Sequence, residues 1–557
     1  MTRLFQTHFI RKEIALNPVW DFWTLNDKEE RIKAYKMPVP CCWESNPELA
    51  SYRGKAIYSQ KVILGGNLRL NFKGISHTAR IYLDKNLIGS HYNAYTEFDI
   101  ILTDVIYGEH LLEIVADNSF HEESSLHISN DYYSYGGITR PVLIEQLGDL
   151  YIKQLHFMPH RINGEWNAII KVKLCNLSGK ALASQLKLQL EEKEALIAAE
   201  DIAPGSEIIV EGSYTFSSVQ EYSPECPRLY QLKASLVYEG KEIDDLIDRV
   251  GFREIAVKNS DILFNGRKLK IKGVNRHEDY AEFGCAIPLE AMYRDIELIK
   301  SLGANCIRTC HYPNDERFLD LCDENGIIVW EESHARGLKQ EQMAHKNFEK
   351  QSADCIREMI DNHMNHPSIF VWGLLNECAS DTAFGRSCYN KQISLIKSLD
   401  TTRPVTFASC HTGKDICLDL VDIVSFNIYP GWYRDVSTKA YLEELKEFIN
   451  SARGEGKPII ISEIGAGGIY GYRSGNRDKW TEDYQEAALE EQLNAVLSDK
   501  DISGAIIWQY ADCRVDQGWF SYRPKSQNNK GLVDMYRREK LAYRKVKEIY
   551  TRNEELL

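Results

Sequence analysis

The chain has 557 residues, of which 43% are hydrophobic and 27% charged, and its formal net charge is −14. A chain of this length is too long for one hydrophobic core, so two to four domains are expected. No stretch approaches the roughly 18 apolar residues that a membrane helix needs, so no membrane partner is expected. The negative charge, without clustered Lys and Arg, argues against nucleic acid.

Fourteen cysteines are irregularly spaced and form no CxxC motif. This pattern is typical of free thiols in a reducing compartment, and the first residues do not resemble a secretory signal, so we expect a cytoplasmic protein. His363 and His366 form an HxxH, but they lie between a predicted helix and the next strand, where a structural role is expected. We predict neither a metal nor a cofactor.

The first half of the chain alternates short β-like runs with turn residues, and no amphipathic helix interrupts them. Predicted strands are 55–64, 68–72, 79–83, 110–115 and 141–145, and then 166–174, 184–191, 207–216 and 229–238. A break near residue 148 separates the two groups. The pattern predicts two antiparallel β-sandwiches in tandem, over residues 1–148 and 149–254.

After residue 261, apolar runs alternate with helical patterns, which is typical of a parallel sheet covered by helices. Eight strands are predicted, at 269–275, 304–309, 327–332, 369–376, 405–409, 423–428, 459–463 and 504–510. Helices are predicted at 288–302, 316–324, 348–362, 391–399, 439–452, 486–497 and 539–550, with none in the loop 410–421. Residues 255–557 are therefore predicted to form a (β/α)8 TIM barrel, whose functional residues lie at the C-terminal ends of the strands.

Two carboxylates stand at such strand ends: Glu377 follows the fourth predicted strand and Glu463 ends the seventh. Either alone is typical of a solvated loop residue, but the two occupy matching positions. Glycoside hydrolysis needs two carboxyl groups around one bond, about 5 Å apart for retention and roughly 6.5–9.5 Å apart for inversion. Asn376 is placed to bind a sugar hydroxyl, and Tyr429, beyond the sixth strand, is placed to donate to Glu463.

Four ordered motifs support this chemistry: GVNRHED at 273–279, NCIRTCHYP at 305–313, HPS at 366–368, and the pair Asn376–Glu377. They resemble glycoside hydrolase family 2, the family of the β-galactosidases and β-glucuronidases, over essentially the whole chain. The resemblance implies a jelly-roll domain and an immunoglobulin-like domain before the barrel, with Glu377 as the general acid/base and Glu463 as the nucleophile. The pocket residues that it implies are Arg308, His311, Asn376, Asn427, Tyr429 and Trp508.

The resemblance also implies a role for Asp131, which lies in NDYYSYGGITR at 130–140. It is similar to a first-domain aspartate that reaches the sugar hydroxyls, and the alternative is a turn residue in a Tyr-rich loop. After the eighth strand, SQNNKGL at 526–532 resembles the Asn-x-Lys motif that β-glucuronidases use for the uronic acid carboxylate, here Asn528 and Lys530. A cation suits this task, since a charge-assisted hydrogen bond is about twice as strong as a neutral one.

Taken together, the motifs predict an exo-acting, retaining hydrolase of glycosides or oligosaccharides with a terminal β-linked uronic acid, and a homo-oligomer is expected. Arg336, after the third strand, stands where glucuronidases carry a small apolar residue. The activity expected is of the β-glucuronidase type. A guanidinium at this position can also bind a carboxylate or an axial hydroxyl, so a β-galacturonide stays open as a second candidate substrate. The alternative is a surface arginine paired with Glu331 or Glu332.

The stretch 337–348 is too short for the long mouth loop of some bacterial glucuronidases, so bulky aglycones are expected to enter. Two other functions stay open at this point. One is a β-galactosidase of the same family that acts on a neutral sugar. The other is a carbohydrate-binding protein whose barrel is inactive.

Overall fold

The computed structural model describes residues 2–191 and 193–552, in which two β-sandwiches precede a barrel. The first sandwich is built around two long strands, Lys55–Phe72 and Phe98–Asp117, which pair antiparallel along their whole length. Lys55–Phe72 also pairs with Val19–Leu25 near its start and with Val142–Leu147 near its end. The remaining strands are Lys12–Ile14, Arg31–Pro38, Ile75–Ser76, Thr78–Leu83, Asn86–Tyr92 and Gly137–Ile138.

The second sandwich consists of two antiparallel sheets with three and four strands. The strands are Leu150–Ile162, Glu165–Asn176 and Glu207–Phe216 in one sheet, and Leu182–Leu190, Lys193–Ile202, Tyr230–Tyr238 and Lys241–Val250 in the other. Leu186, Leu188 and Leu190 show why the chain folds this way, because every second side chain of their strand is buried in the core. Seven strands divided in this way form an immunoglobulin-like sandwich.

The third part is a parallel barrel with eight strand positions. Its strands are Ile271–Arg276, Cys306–Thr309, Ile328–Glu332, Ile369–Gly373, Val405–Thr406 with Ala408–Ser409, Val424–Asn427, Ile459–Ile464 and Ile502–Ile507. The fifth position is divided at Phe407 into two short pieces. The first strand pairs in parallel with both the second and the eighth strand, so the first and last strands of the barrel are neighbours. The predicted fold class, two sandwiches followed by a TIM barrel, is confirmed.

Eight helices surround the barrel in the described part of the chain: Leu289–Ser301, Glu316–Asn325, Gln340–Met343, Phe348–His363, Ala383–Leu399, Thr438–Ser451, Glu482–Ser498 and Leu541–Tyr550. The predicted start at residue 391 is wrong, because Thr382 caps the helix by accepting a hydrogen bond from the Gly385 N–H. As predicted, the loop 410–421 contains no helix. None of the helices in the described residues is long and apolar enough to cross a membrane.

A small three-stranded sheet, Ile255–Lys258, Asp261–Phe264 and Arg267–Lys268, precedes the first barrel strand. Ile262 and Phe264 of this sheet belong to the same buried cluster as the strand residues Trp330 and Phe370. The barrel interior is therefore a packed core. Ligand binding in such a barrel belongs to the C-terminal ends of the strands.

The first sandwich contacts this end of the barrel through its loop 118–141. Arg140 donates from Nη2 to Glu278 Oε2 at 2.7 Å, and the Tyr135 hydroxyl donates to Asp279 Oδ1 at 3.0 Å. Both contacts are buried, and removing one partner of a buried ion pair costs about 3–5 kcal/mol. The contacts hold Asp131, in the same loop, at the barrel mouth.

Candidate active site

Glu377 and Glu463 lie at the barrel mouth, at the ends of strands four and seven. Glu463 is within the strand Ile459–Ile464 and 6% of its side chain is exposed, whereas 19% of the Glu377 side chain is exposed. Leu375 and Glu377 adopt the left-handed backbone conformation, with φ of 47° and 53°. Such a conformation costs about 1–3 kcal/mol per residue and often occurs at functional sites. Of the two carboxylates, Glu377 is the more exposed.

A chain of hydrogen bonds connects the two carboxylates. Arg308 donates from Nη1 to Glu463 Oε1 at 3.2 Å and from Nη2 to Asn376 Oδ1 at 2.8 Å. Asn427 Nδ2 donates to the same Asn376 oxygen at 3.2 Å and to Glu377 Oε1 at 3.0 Å. Both carboxylates therefore belong to one polar network at the barrel mouth.

Glu463 also accepts a hydrogen bond at its second oxygen, from the Tyr429 hydroxyl to Oε2 at 2.6 Å. The Arg308 guanidinium that contacts the first oxygen is fixed by Glu332, which accepts from Nε at 2.9 Å and from Nη2 at 3.0 Å. Burial, followed by the charge of Glu377, nevertheless raises the pKa of Glu463 to about 8. Two interacting carboxyl groups titrate as a pair, so this value describes the loss of a proton that the pair shares.

Several buried polar atoms around the carboxylates have no hydrogen-bond partner among the described residues. They include His277 Nε2, His311 Nε2, Asn376 Nδ2 and Asn528 Oδ1. Burial, followed by the charge of Arg308, holds the pKa of His311 well below its ordinary value, so its ring is neutral. Its Nδ1 donates to Glu332 Oε1 at 2.7 Å, which leaves Nε2 as an acceptor. Trp508 stacks on the His311 ring, with centroids 5.2 Å apart.

Asp131 is buried and contacts two arginines. Arg523 Nη2 donates to Asp131 Oδ2 at 2.9 Å, Asn528 Nδ2 donates to the same oxygen at 3.1 Å, and Arg336 Nη2 lies 3.2 Å from Oδ1. Although burial opposes it, the charges of Arg336 and Arg523 hold the pKa of Asp131 well below its ordinary value. The assignment of Asp131 to sugar hydroxyls stays a prediction, and Asp131 Oδ1 has no hydrogen-bond partner among the described residues. Arg523 was not predicted from the sequence, although that residue lies in the same loop as Asn528.

Arg336 faces the site and not the outer surface. Its Nη2 lies 3.5 Å from Glu377 Oε2, and its Nη1 donates to Asn130 Oδ1 at 3.2 Å. The alternative of a surface arginine paired with Glu331 or Glu332 is wrong. Those two carboxylates accept hydrogen bonds from other barrel residues, and their side chains are at most 1% exposed.

Lys530 is a buried cation surrounded by aromatic side chains. Its Nζ donates to the Tyr433 hydroxyl at 3.0 Å and lies 5.3–5.7 Å from the ring centroids of Tyr429, Trp432 and Tyr433. No carboxylate of residues 2–191 or 193–552 forms an ion pair with it, and burial lowers its pKa. Burial of an unpaired charge is costly, so a carboxylate from a ligand would gain much by binding here.

Among residues 2–191 and 193–552, two groups of side chains have a spacing suited to a metal ion, one with His277, Cys310 and His311 and another with Asp320, Asp323 and His366. In the second group, Arg3 already donates three hydrogen bonds to Asp320, at 2.8, 3.0 and 3.2 Å. The HxxH side chains have separate carboxylate partners. His363 lies 3.0 Å from Glu331 and His366 lies 2.5 Å from Asp323.

The barrel with two networked carboxylates at its mouth defines the protein as a glycoside hydrolase. Residues 255–554 match the model of the TIM barrel domain of glycosyl hydrolases family 2, and residues 150–253 match a second model of that family. The chain belongs to glycoside hydrolase family 2.

The crystal structure of a β-galacturonidase from Eisenbergiella tayi bound to galacturonate has 51% sequence identity to this chain. Its TM-score is 0.94, and the match covers 99% of each chain. Human β-glucuronidase is 30% identical over 432 residues, which are 75% of this chain and 64% of the human protein. A Formosa agariphila relative is 26% identical over 541 residues and is matched over 62% of its length. The chain thus spans less than two thirds of these two relatives.

Proposed function

We propose that this protein hydrolyses terminal β-linked hexuronides with retention of configuration, and that β-galacturonides are its preferred substrates. The observation that carries the proposal is the burial of Lys530 without a carboxylate partner in the part of the chain that the structure describes. Lys530 is only 2% exposed, and a hydroxyl is the hydrogen-bond acceptor of its ammonium group. The C6 carboxylate of a uronic acid would supply the missing counter-charge, together with an N–H of Asn528.

The charge balance of the site supports an anionic substrate. The cations are Arg308, Arg336, Arg523 and Lys530, and the carboxylates are Asp131, Glu332, Glu377 and Glu463. During catalysis one of the two mouth carboxylates carries the proton for the departing oxygen. The site then has one positive charge in excess, which one uronate neutralises.

We assign proton transfer to Glu377 and nucleophilic attack to Glu463. The Tyr429 hydroxyl and the Arg308 guanidinium both donate to Glu463, and such bonds favour its ionised form when the shared proton is on Glu377. Glu463 then attacks the anomeric carbon while Glu377 protonates the glycosidic oxygen. In the second step Glu377 takes a proton from water, which attacks the glycosyl–enzyme ester and releases the sugar.

The proton shared by this pair predicts an alkaline limit of activity. Below about pH 8 the pair holds one proton, and above it both carboxylates are ionised and none remains for the leaving group. We expect kcat/KM to fall tenfold per pH unit above about pH 8, in initial-rate measurements between pH 5 and 9.5. Glu377→Gln should abolish this alkaline decline in kcat/KM. A pH profile of the unmodified protein that stays flat to pH 9.5 contradicts the assignment of proton transfer to Glu377.

The preference for galacturonide is supported by Arg336 and by the similarity to the Eisenbergiella enzyme. Arg336 is half-buried near Asp131 and Glu377, where its guanidinium can donate a hydrogen bond to an axial hydroxyl of the sugar. Glucuronide is the second candidate, since the human relative is a β-glucuronidase. We extend the proposal to a cytoplasmic location, which the fourteen free thiols support.

The test is hydrolysis of the 4-nitrophenyl β-galacturonide, β-glucuronide and β-galactoside under identical conditions. The proposal predicts the highest kcat/KM for the galacturonide and the lowest for the galactoside. A preference for the galactoside would establish a neutral-sugar enzyme. Absence of turnover on all three would favour an inactive carbohydrate-binding protein.

Lys530→Met should lower kcat/KM for uronides selectively. The loss of one partner of a buried charge pair costs about 2–5 kcal/mol, or roughly 30-fold to 4,000-fold. The galactoside has no carboxylate, so its residual turnover should change less than about threefold. Lys525→Met is the matched control, because Lys525 is an exposed lysine of the same loop. Equal losses on both substrates would show that Lys530 does not bind the carboxylate.

A further inference from the structure

The loop after the eighth barrel strand carries three aromatic residues within four positions, beside the active site. Trp519, Phe520 and Tyr522 lie on the short 3-10 helix Gln517–Tyr522. Phe520 is 42% and Tyr522 69% exposed, and Trp519 is half-buried. Large apolar side chains at the rim of a ligand site are typical binding surfaces.

Trp519 is the aromatic residue of this loop that contacts the site. The Arg336 guanidinium carbon lies 5.5 Å from its ring centroid, and Arg336 Nη2 lies 3.5 Å from Glu377 Oε2. The Arg523 guanidinium carbon also lies 5.5 Å from the ring. One guanidinium, that of Arg336, therefore lies between the ring and the Glu377 carboxylate.

The ring is held by the first sandwich. Trp519 Nε1 donates to Ser129 O at 3.3 Å. Asp516, which precedes the 3-10 helix, pairs with Arg53 at 2.5 Å and accepts a hydrogen bond from the Asn130 N–H at 3.2 Å. A surface that is fixed before binding costs little ordering entropy when a ligand arrives.

We propose that Trp519 forms a subsite for the leaving group, which accepts the flat face of an uncharged ring. The inference rests on the proposed function, since it concerns the group that Glu377 protonates. Aryl rings and the apolar faces of neutral sugars share the chemistry needed to stack on an indole. The uncharged character follows from the charge balance, because the uronate already neutralises the single positive charge in excess.

The experiment compares uronides that differ only in the leaving group: 4-nitrophenyl, methyl and a neutral hexose. For Trp519→Ala we expect kcat/KM to fall at least about fivefold for the 4-nitrophenyl glycoside and less than about twofold for the methyl glycoside. Inhibition by free galacturonate should not change, because this sugar does not reach the subsite. Phe520→Ala is the matched control, as no cation of the described residues lies over that ring and it is the next residue in the same helix.

If Trp519→Ala also lowers kcat/KM for the hexose-linked uronide, the subsite accepts sugars. If kcat/KM falls for the aryl glycoside alone, the subsite accepts aryl groups. Equal losses on the aryl and methyl glycosides, weaker inhibition by galacturonate, or the same effect in Phe520→Ala would overturn the inference. If the unmodified protein hydrolyses none of the glycosides, the proposed function fails. In that case, calorimetric binding of the aryl and methyl uronides to the unmodified and Trp519→Ala proteins tests the subsite alone. A preference of the unmodified protein for the aryl uronide that Trp519→Ala removes would support the inference. A preference that Trp519→Ala leaves unchanged would contradict it.

Discussion

Replacement of Glu463 by Ala is expected to lower kcat for 4-nitrophenyl β-galacturonide by on the order of 10⁴-fold or more. The variant has no carboxylate that can form the glycosyl–enzyme ester, and its Arg308 and Tyr429 lose the anion to which they donate. Substrate binding should persist, because Lys530 and Asn528 lie in a different loop. Steady-state kinetics, with circular dichroism to verify folding, measures the loss.

Chemical rescue distinguishes a lost nucleophile from a damaged site. In Glu463→Ala, azide can enter the space of the carboxylate and attack the anomeric carbon directly. We expect it to restore turnover and to give the α-galacturonosyl azide, because one displacement inverts the configuration. Tyr429→Phe removes one hydrogen bond but keeps the carboxylate, so it serves as the milder comparison. A Glu463→Ala variant with more than a tenth of the original kcat refutes the assignment.

Replacement of Glu377 by Ala should have an effect that depends on the leaving group. General acid catalysis contributes typically 10²–10⁴-fold, so kcat/KM for the methyl uronide is expected to fall within about that range. A 2,4-dinitrophenyl leaving group departs without protonation, so its kcat/KM should fall less than about tenfold. The comparison of the two substrates in one protein preparation is the measurement.

Azide should also rescue Glu377→Ala, but with the opposite stereochemistry. It attacks the glycosyl–enzyme intermediate in place of water that is no longer activated, so the product is the β-galacturonosyl azide. The two alanine variants are thus controls for each other. Equal losses on both leaving groups, or an α-azide from Glu377→Ala, would mean that the roles have been exchanged or misassigned.

The barrel and its two carboxylates could be predicted from the sequence because the signals are local. Buried strands appear as short apolar runs such as Ile459–Ile464, and a residue at the end of such a run must face the barrel mouth. The same logic placed Tyr429 beside Glu463, and the hydroxyl lies 2.6 Å from the carboxylate. Short-range periodicity and barrel geometry are sufficient for these features.

Contacts between distant parts of the chain could not be predicted in this way. Asp131 meets Arg523 across 392 positions, and the contact depends on how the first sandwich docks on the barrel. Arg523 itself lies among residues with no periodic pattern. Trp519 is likewise placed by contacts of its loop with the first sandwich, through Asp516 and Ser129, so its position beside Arg336 becomes visible only in three dimensions.

The helix start at Ala383 shows a different limit. Its first turn contains Gly385 and lacks an apolar stripe, so periodicity indicates a helix only from residue 391. The structure begins it eight residues earlier because the Thr382 hydroxyl accepts from the Gly385 N–H. The capping residue Thr382 is a signal for the earlier start, but the apolar spacing indicates the later one.

The stereochemistry of hydrolysis tests the central claim most directly. Proton NMR spectra recorded within the first minutes of 4-nitrophenyl β-galacturonide cleavage reveal which anomer of the sugar is released before mutarotation. Double displacement at Glu463, with Glu377 as acid and then base, predicts that the β-anomer of galacturonate forms first. Initial release of the α-anomer would mean a single displacement by water, and it would contradict the proposed glycosyl–enzyme intermediate.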